Sequence, residues 1–345
     1  MTEAANGTGP AAGDAARVEE RPEGLPAPVR RVRFDSIRPY LLEDVTKAPR
    51  SEAAGTLYLP EGEAEERPGV VVVQGLGGPK PEREDVYGAK LAKAGYAALV
   101  LDSFEPRGLG GASDKRKALQ ITTWALLADA FAAMRFLGDQ PGVRRDAIGV
   151  IGFSWGGMVA LVSAFEQIRR AFLREDEPGF AAHASYYGCS IPRMDDSTTT
   201  GAPVMVLIGR HDANVSVERT RQICEDLRRG GSEVTFREFD ALHQWDGIDT
   251  ETRHVTGSLA DIRIRIGRDN VLRLEDGPAV RGVASRIWGL LSRLRWRGYD
   301  IRRDSDLHRR TDAMLLAFLA EASRRRGVPP TPDGPVPLGS TDAPV

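Results

Sequence analysis

The stretch Ala147-Ile-Gly-Val-Ile-Gly-Phe-Ser-Trp-Gly-Gly-Met-Val-Ala-Leu-Val162 decides the reading of this chain. Ala147 to Phe153 is an almost continuous apolar run, the mark of a strand buried on both faces. From Trp155 to Arg169 the pattern is helical. Ser154 stands at the junction, in Gly152-Phe153-Ser154-Trp155-Gly156. A sharp strand-to-helix turn pushes the serine Oγ out of the backbone. Its neighbours must then be small, which accounts for Gly152 and Gly156, with Gly157 following. The helix behind it aims its N-terminus and free N–H groups at developing negative charge. Strand, turn and helix together make Ser154 the candidate nucleophile.

Working outward, strands and helices alternate. Val32 to Ser36 and Gly55 to Leu59 read as opening strands. Gly69 to Val73, Ala97 to Leu101, Ala181 to Tyr187, Val204 to Ile208 and Glu233 to Phe239 read as further strands. Helices are expected over Glu84 to Ala94, Lys115 to Leu137, Val217 to Arg229 and Leu307 to Arg324. This alternation implies a doubly wound, mostly parallel sheet in one α/β domain. Combined with the serine turn, it predicts an α/β-hydrolase fold over 29–327. Segments 1–28 and 328–345 are small, polar or proline-rich and are expected to be disordered.

Residues 250–306 break the alternation as an insertion before the last helix. Ile262 to Ile266 and Val271 to Leu274 suggest a hairpin around Gly267-Arg268-Asp269-Asn270. A basic amphipathic helix follows, with Val280, Val283, Ile287, Leu290, Leu291 and Leu294 on one face. Arg281, Arg286, Arg293, Arg295 and Arg297 decorate it. We read it as a helix packed on the core or a lid over the site, in preference to a membrane contact. An oligomer interface is left open.

Serine needs a base to take its proton. The chain has five histidines, and in this fold the order is serine, acid, histidine. His243 follows the last central strand, on the carboxyl side of the sheet, and is the candidate base. His183 sits inside a core strand and reads as structural. His211 precedes the acid, and His254 and His308 fall in or beyond the insertion. Asp212, after Val206-Leu207-Ile208, is the candidate acid. It lies too far upstream to be the immediate cap of the helix starting near Val217. Asp240 and Asp246 are too close in sequence to His243. The oxyanion donors are expected to be the N–H groups of Trp155 and of Leu76, in Gln74-Gly75-Leu76-Gly77-Gly78. That loop lacks the Lys and Ser/Thr of a phosphate-binding loop, which disfavours a nucleotide.

Several segments resemble the dienelactone hydrolase family. They are Gly55-Thr-Leu-Tyr-Leu-Pro60, Gly75-Leu-Gly-Gly-Pro79, Gly95-Tyr-Ala-Ala-Leu-Val-Leu-Asp-Ser-Phe104 with Pro106-Arg107-Gly108, Tyr186-Tyr-Gly-Cys189, the Asp212 loop and His243-Gln-Trp-Asp246. The resemblance runs from about Val32 to Gly247 and resumes in the last helix. It implies a Ser154–Asp212–His243 triad, the set read from the residues. This chain also departs from the family. Ser154 stands where dienelactone hydrolases carry a cysteine nucleophile, and Gly75 where they carry an activating glutamate. Two arginines hold the substrate carboxylate there. Arg107 falls near one of them, and Gly247 stands at the other. Arg107 is therefore read as a structural arginine bonding loop carbonyls, with a clamp for an acidic substrate group as the functional alternative. Cys189 and Cys224 match cysteines of relatives and are read as free buried thiols rather than nucleophiles.

The bulk numbers are permissive. The net charge of −2 over 345 residues gives no broad field for nucleic acid. No apolar run reaches the roughly 18 residues of a membrane helix. Two cysteines are far from a disulfide framework. The sequence thus implies a cytoplasmic serine hydrolase acting on a small ester, lactone or thioester through an acyl-serine, with no cofactor and no metal. Acyl transfer or peptide hydrolysis on the same triad, and a non-catalytic scaffold, are the alternatives.

Overall fold

The computed structural model of the chain describes residues 18–19, 29–62, 66–188, 192–275, 277–293 and 296–331. In chain order the strands begin with β1 (Val18–Glu19), β2 (Val29–Ile37), β3 (Arg50–Tyr58), β4 (Arg67–Val73) and β5 (Ala97–Asp102). They continue with β6 (Val143–Phe153), β7 (His183–Tyr186), β8 (Pro192–Met194), β9 (Val204–Gly209) and β10 (Val234–Phe239). Beyond these lie β11 (Arg253–Val255), β12 (Ile264–Ile266), β13 (Leu272–Leu274), β14 (Ala279–Val280) and β15 (Tyr299–Ile301). The helices are α1 (Val86–Lys93), α2 (Asp114–Gln120), α3 (Thr123–Gly138), α4 (Trp155–Val162), α5 (Glu166–Phe172), α6 (Val217–Arg229), α7 (Gly282–Leu291) and α8 (Ser305–Arg325).

The main sheet has nine strands in the order β1-β2-β3-β5-β4-β6-β7-β9-β10. From β5 to β10 every pairing is parallel, and β1, β2 and β3 form an antiparallel edge. The continuous valines of β4 divide between the two faces, as alternate residues of a strand must. Val71 and Val73 pack with α3, α4 and α6 on one face. Val70 and Val72 pack with α1 and α8 on the other. The expected α/β-hydrolase architecture is present, with its strands' carboxyl ends gathered around Ser154.

Two expected helices are broken. The long one over 115–137 splits into α2 and α3, which meet at 82°. Thr122 causes the break: its Oγ1 accepts from Ala125 N as the cap of α3 and donates to Pro39 O. The helix after Ser154 ends at Val162, where Ser163 Oγ turns back onto Ala160 O and Phe165 bridges to Thr199. Among the described residues no single helix is long and apolar enough to cross a membrane. The bent α2–α3 pair passes on length and composition, yet α3 is buried along most of its length within the protein.

The ends also differ from expectation. Val18–Glu19 pairs with β2 as an edge strand, whereas the rest of 1–28 lies outside the described residues. Val328 is buried, and the Thr331 backbone lies against Gly95. Residues 332–345 lie outside the described residues.

Within the insertion, β12 and β13 form the expected hairpin, with Asn270 at φ +63° in its turn. β14 extends it on one side, and β8 pairs with β12 in parallel on the other. The small sheet is thereby stitched to the main domain. β11 pairs with β15. One expectation fails here. Val283 and Leu291 do not pack on the core; both are exposed, with Trp288. The side of α7 that meets the protein offers Gly289, close to Leu274, and Arg286, which donates to the carbonyls of Ala118 and Ile121. Val280 is buried in β14 rather than on the helix. The Leu290 side chain, Leu294 and Arg295 lie outside the described residues.

Candidate active site

Ser154 links β6 to α4 with φ +52° and ψ −109°. A residue with a Cβ adopts a positive φ only where its surroundings enforce it. Here the flanking glycines are obligatory. A Cβ on Gly152 would lie 2.1 Å from Gly156 O, and one on Gly156 would lie 2.1 Å from Val73 O. The turn is therefore closed by backbone against backbone. Ser154 N–H donates to Tyr186 O at 3.0 Å, which fixes the residue to β7.

A line of hydrogen bonds leads away from its hydroxyl. Ser154 Oγ lies 3.1 Å from His243 Nε2, and His243 Nδ1 lies 2.6 Å from Asp212 Oδ2. The second carboxylate oxygen of Asp212 accepts from Asn214 N at 2.8 Å and Val215 N at 3.2 Å. Asp212 thus closes its own turn while leaving one oxygen for the histidine. Ser216, not Asp212, caps α6. The side chains of His243 and Asp212 are both fully buried. The His243 ring lies between Tyr187 and Tyr299, whose centroids are 4.8 Å and 5.1 Å away, both edge to face. Burial lowers the local dielectric and strengthens the His–Asp attraction.

The other histidines have different surroundings. His183 is buried in β7 against Ser163 Oγ and Ala160 O. His211 meets Asp240 at the surface, and His254 meets Asp300. His308 lies near Asp312 on α8. Asp246 is taken by the hydroxyls of Tyr87 and Tyr187.

The loop after β4 borders the serine. A Cβ on Gly75 would sit 3.7 Å from Ser154 Cβ and 3.3 Å from Phe153 O. A Cβ there would be tight against the Phe153 carbonyl and in ordinary contact with Ser154, so glycine lets the loop run close beside the serine. Leu76 follows immediately, and its N–H has no acceptor among the described residues. The Trp155 N–H belongs to the first turn of α4, where a helix provides no acceptor of its own. Lys117 Nζ donates to Gly77 O at 2.8 Å and steadies the loop.

Arg107 corrects the clamp reading. Its guanidinium donates to Asp129 through two bonds of 2.7 Å and 2.9 Å, and to Ser103 O at 2.7 Å. The two side chains are 4% and 0% exposed. Its charge is neutralised inside the wall and is not offered to a substrate carboxylate. Gly247 contributes only backbone, donating to Gln244 O. Cys224 is a free, buried thiol whose pKa burial pushes up to about 12, which makes it inert as a nucleophile. Cys189, and with it any pairing of the two, lies outside the described residues.

Two features carry no local sequence signal. Arg83 and Glu84 form a buried pair at 2.5 Å, and Arg83 Nη2 would lie 3.6 Å from a Cβ on Gly75. Arg83 also reaches the Tyr187 hydroxyl. Burial, and then the Asp246 carboxylate, hold the Tyr187 phenol well above its ordinary pKa, so it stays protonated and donates. Tyr187 itself has φ +38°, a second strained residue beside the first. The other feature is the insertion. Tyr299 comes from β15, Ser258 Oγ donates to Ala213 O, and Leu259 N donates to Asn214 O. The insertion therefore holds the Asp212 loop and walls His243.

Comparison with known proteins agrees with this arrangement of elements. Residues 53–246 match the model of the dienelactone hydrolase family. A Bradyrhizobium protein named "Probable 2-oxo-3-(5-oxofuran-2-ylidene)propanoate lactonase" is 36% identical over 102 residues, which are 28% of this chain and 40% of that protein. A Synechocystis protein named "Putative carboxymethylenebutenolidase" is 26% identical over 180 residues, 47% of this chain and 68% of that one. The crystal structure of a dienelactone hydrolase-like promiscuous phosphotriesterase, P91, from metagenomic libraries superposes with a TM-score of 0.51 at 17% identity. It covers 85% of this chain and 98% of that one, a likeness of fold. The family match spans more than half of the 345 residues, and the chain belongs to the dienelactone hydrolase family.

Proposed function

We propose that the chain is a serine hydrolase that cleaves a carboxylic ester, lactone or thioester through an acyl-Ser154 intermediate. The observation that carries this reading is the unbroken line Asp212–His243–Ser154, at 2.6 Å and 3.1 Å, ending on a strained serine between β6 and α4. Ser154 Oγ attacks the acyl carbon as His243 Nε2 takes its proton. Asp212 fixes the tautomer with the proton on Nδ1 and stabilises the imidazolium. The developing oxyanion accepts from the N–H groups of Leu76 and Trp155. His243 then returns the proton to the departing oxygen or sulfur, which in a lactone stays attached through the acyl chain. Water attacks the acyl-serine, His243 takes one of its protons, and that proton goes back to Ser154 Oγ as the acid leaves. The named activities of the two relatives support an ester or lactone bond as the target. Engagement of Arg107 with Asp129 argues against dienelactone itself, because that charge is not available to a substrate carboxylate.

Ser154→Ala tests the reading. It is expected to lower kcat on activated short-chain esters by on the order of 10^5–10^6-fold, with an unchanged melting temperature. A fluorophosphonate probe should label the wild type at Ser154 and leave the variant unlabelled. Undiminished turnover by the variant would reject the assignment.

A further inference from the structure

We infer that α7 and the turn after it dock the protein onto an anionic lipid surface. Val283, Trp288, Leu291 and Trp296 are 54%, 54%, 51% and 68% exposed. They are the most exposed large apolar side chains among the described residues, and all four belong to one short segment.

For the three on α7, the outward direction follows from helical geometry. At 100° per residue, Val283, Ile287, Leu291 and Trp288 fall on one side of α7. The other side carries Ser285, Arg286 and Gly289. Gly289 lies within van der Waals reach of Leu274. Ser285 Oγ donates to the helix's own carbonyls. Arg286 donates to Ala118 O and Ile121 O at 3.0 Å and 3.1 Å and lies over the Tyr40 ring. The helix is thus seated by a glycine and an arginine, and its apolar side is turned to solvent. That reverses the usual orientation of a surface helix. Across a cleft of about 550 Å³ beside it, Leu119 faces the same opening as Val283, which extends the patch.

Charge selects the occupant. From Gly277 to Tyr299 the sequence has five arginines and no Asp or Glu. Arg281 and Arg297 are exposed. Arg293 stacks over Trp288 with its guanidinium 5.9 Å from the ring centroid. Among the described residues none of Arg281, Arg286, Arg293 and Arg297 is in an ion pair. The whole chain carries −2, so this cationic patch stands against a net acidic remainder and orients the molecule toward an anionic surface. Trp288 on the apolar helix face and Trp296 in the turn beyond it, flanked by arginines, match the headgroup boundary of a bilayer: rings at the interface, guanidinium groups on phosphate.

Co-sedimentation of the full chain with phosphatidylcholine vesicles, with and without phosphatidylglycerol, tests this. The protein is expected to sediment with the phosphatidylglycerol vesicles, to release with added salt, and to ignore pure phosphatidylcholine. Tryptophan emission should shift to the blue on binding. Trp288→Ala/Trp296→Ala should lose the shift and most of the binding. Arg281→Gln/Arg293→Gln/Arg297→Gln should weaken binding by on the order of 100-fold. All these side chains are at the surface, and melting curves would confirm that both variants fold. Failure of the wild type to bind anionic vesicles, or equal binding by the variants, overturns the inference. So does a dimer in solution that the Trp variant abolishes without any vesicle binding, which would make the patch a self-association face. The Ser154→Ala protein should bind the same vesicles, so the outcome is independent of the hydrolase reading.

Discussion

At Ser154 the backbone holds φ +52°, a conformation that costs a side-chain-bearing residue about 1–3 kcal/mol. Gly152 and Gly156 make room for it, and that need for small neighbours is why the motif can be read from sequence. Asp212 and His243 are legible for a related reason: each follows a strand whose apolar run is visible, in an order the fold dictates. Arg107 shows the limit. Its partner Asp129 lies 22 residues away on α3, and pairing between buried charges on different elements leaves no local pattern. The geometry predicts what Arg107 does. Arg107→Gln should destabilise the protein by about 3–5 kcal/mol, because it leaves Asp129 buried without a counter-charge. Urea unfolding would measure this. KM for acidic esters should change no more than KM for neutral ones, and a selective loss for acidic esters would restore the clamp reading.

Among the elements, the insertion was legible in outline and not in purpose. Its hairpin and helix follow from alternation and helical spacing. Its docking does not, because the register that places Tyr299 beside His243 depends on β15 meeting β11 and on the bridge between Ile301 and His243. Those contacts join residues far apart in sequence. The broken helices have the same origin: Thr122 acts through a hydroxyl whose partner is the Pro39 carbonyl, and the second break sits where Phe165 bridges to Thr199. The insertion is a wall of the site as well as a candidate cover. Tyr299→Ala should therefore lower kcat by on the order of 10-fold or more, because His243 loses one of the two rings that hold it and a small misplacement is costly. KM should move little. Tyr299→Phe keeps the ring edge and should retain most of the rate. Steady-state kinetics on one ester, with the rate of fluorophosphonate labelling of Ser154, would separate a misplaced base from a weakened substrate site. An unchanged kcat in Tyr299→Ala would remove Tyr299 from the positioning of His243.

For the whole molecule, composition and alternation announce a two-faced parallel sheet, but not that β5 lies between β3 and β4. Pattern shows which residues face a core and not which strands pair. One consequence of that pairing is thermodynamic. β7 lies between β6 and β9 and carries His183 into the centre of the protein. Its Nδ1 lies 3.0 Å from Ala160 O, and its Nε2 has no partner. Protonation would place a charge on that unpartnered nitrogen, so burial lowers its pKa from 6.5 to about 4, with the Ala160 carbonyl opposing weakly. In the unfolded chain the imidazole keeps its ordinary value. Between about pH 6.5 and pH 4 the unfolded state therefore binds more protons than the folded one. The neutral form's contribution is fully present above pH 6.5 and is lost progressively as pH falls toward 4. A shift of this size corresponds to about 3 kcal/mol over the window, of which about 2 kcal/mol is lost by pH 5. His183→Asn keeps a donor for Ala160 O and cannot titrate. Urea unfolding at pH 7.5 and pH 5 should show the wild type losing about 2 kcal/mol more than the variant between those values. Equal losses would mean that His183 does not set the acid sensitivity of the fold, and that the surface carboxylates do.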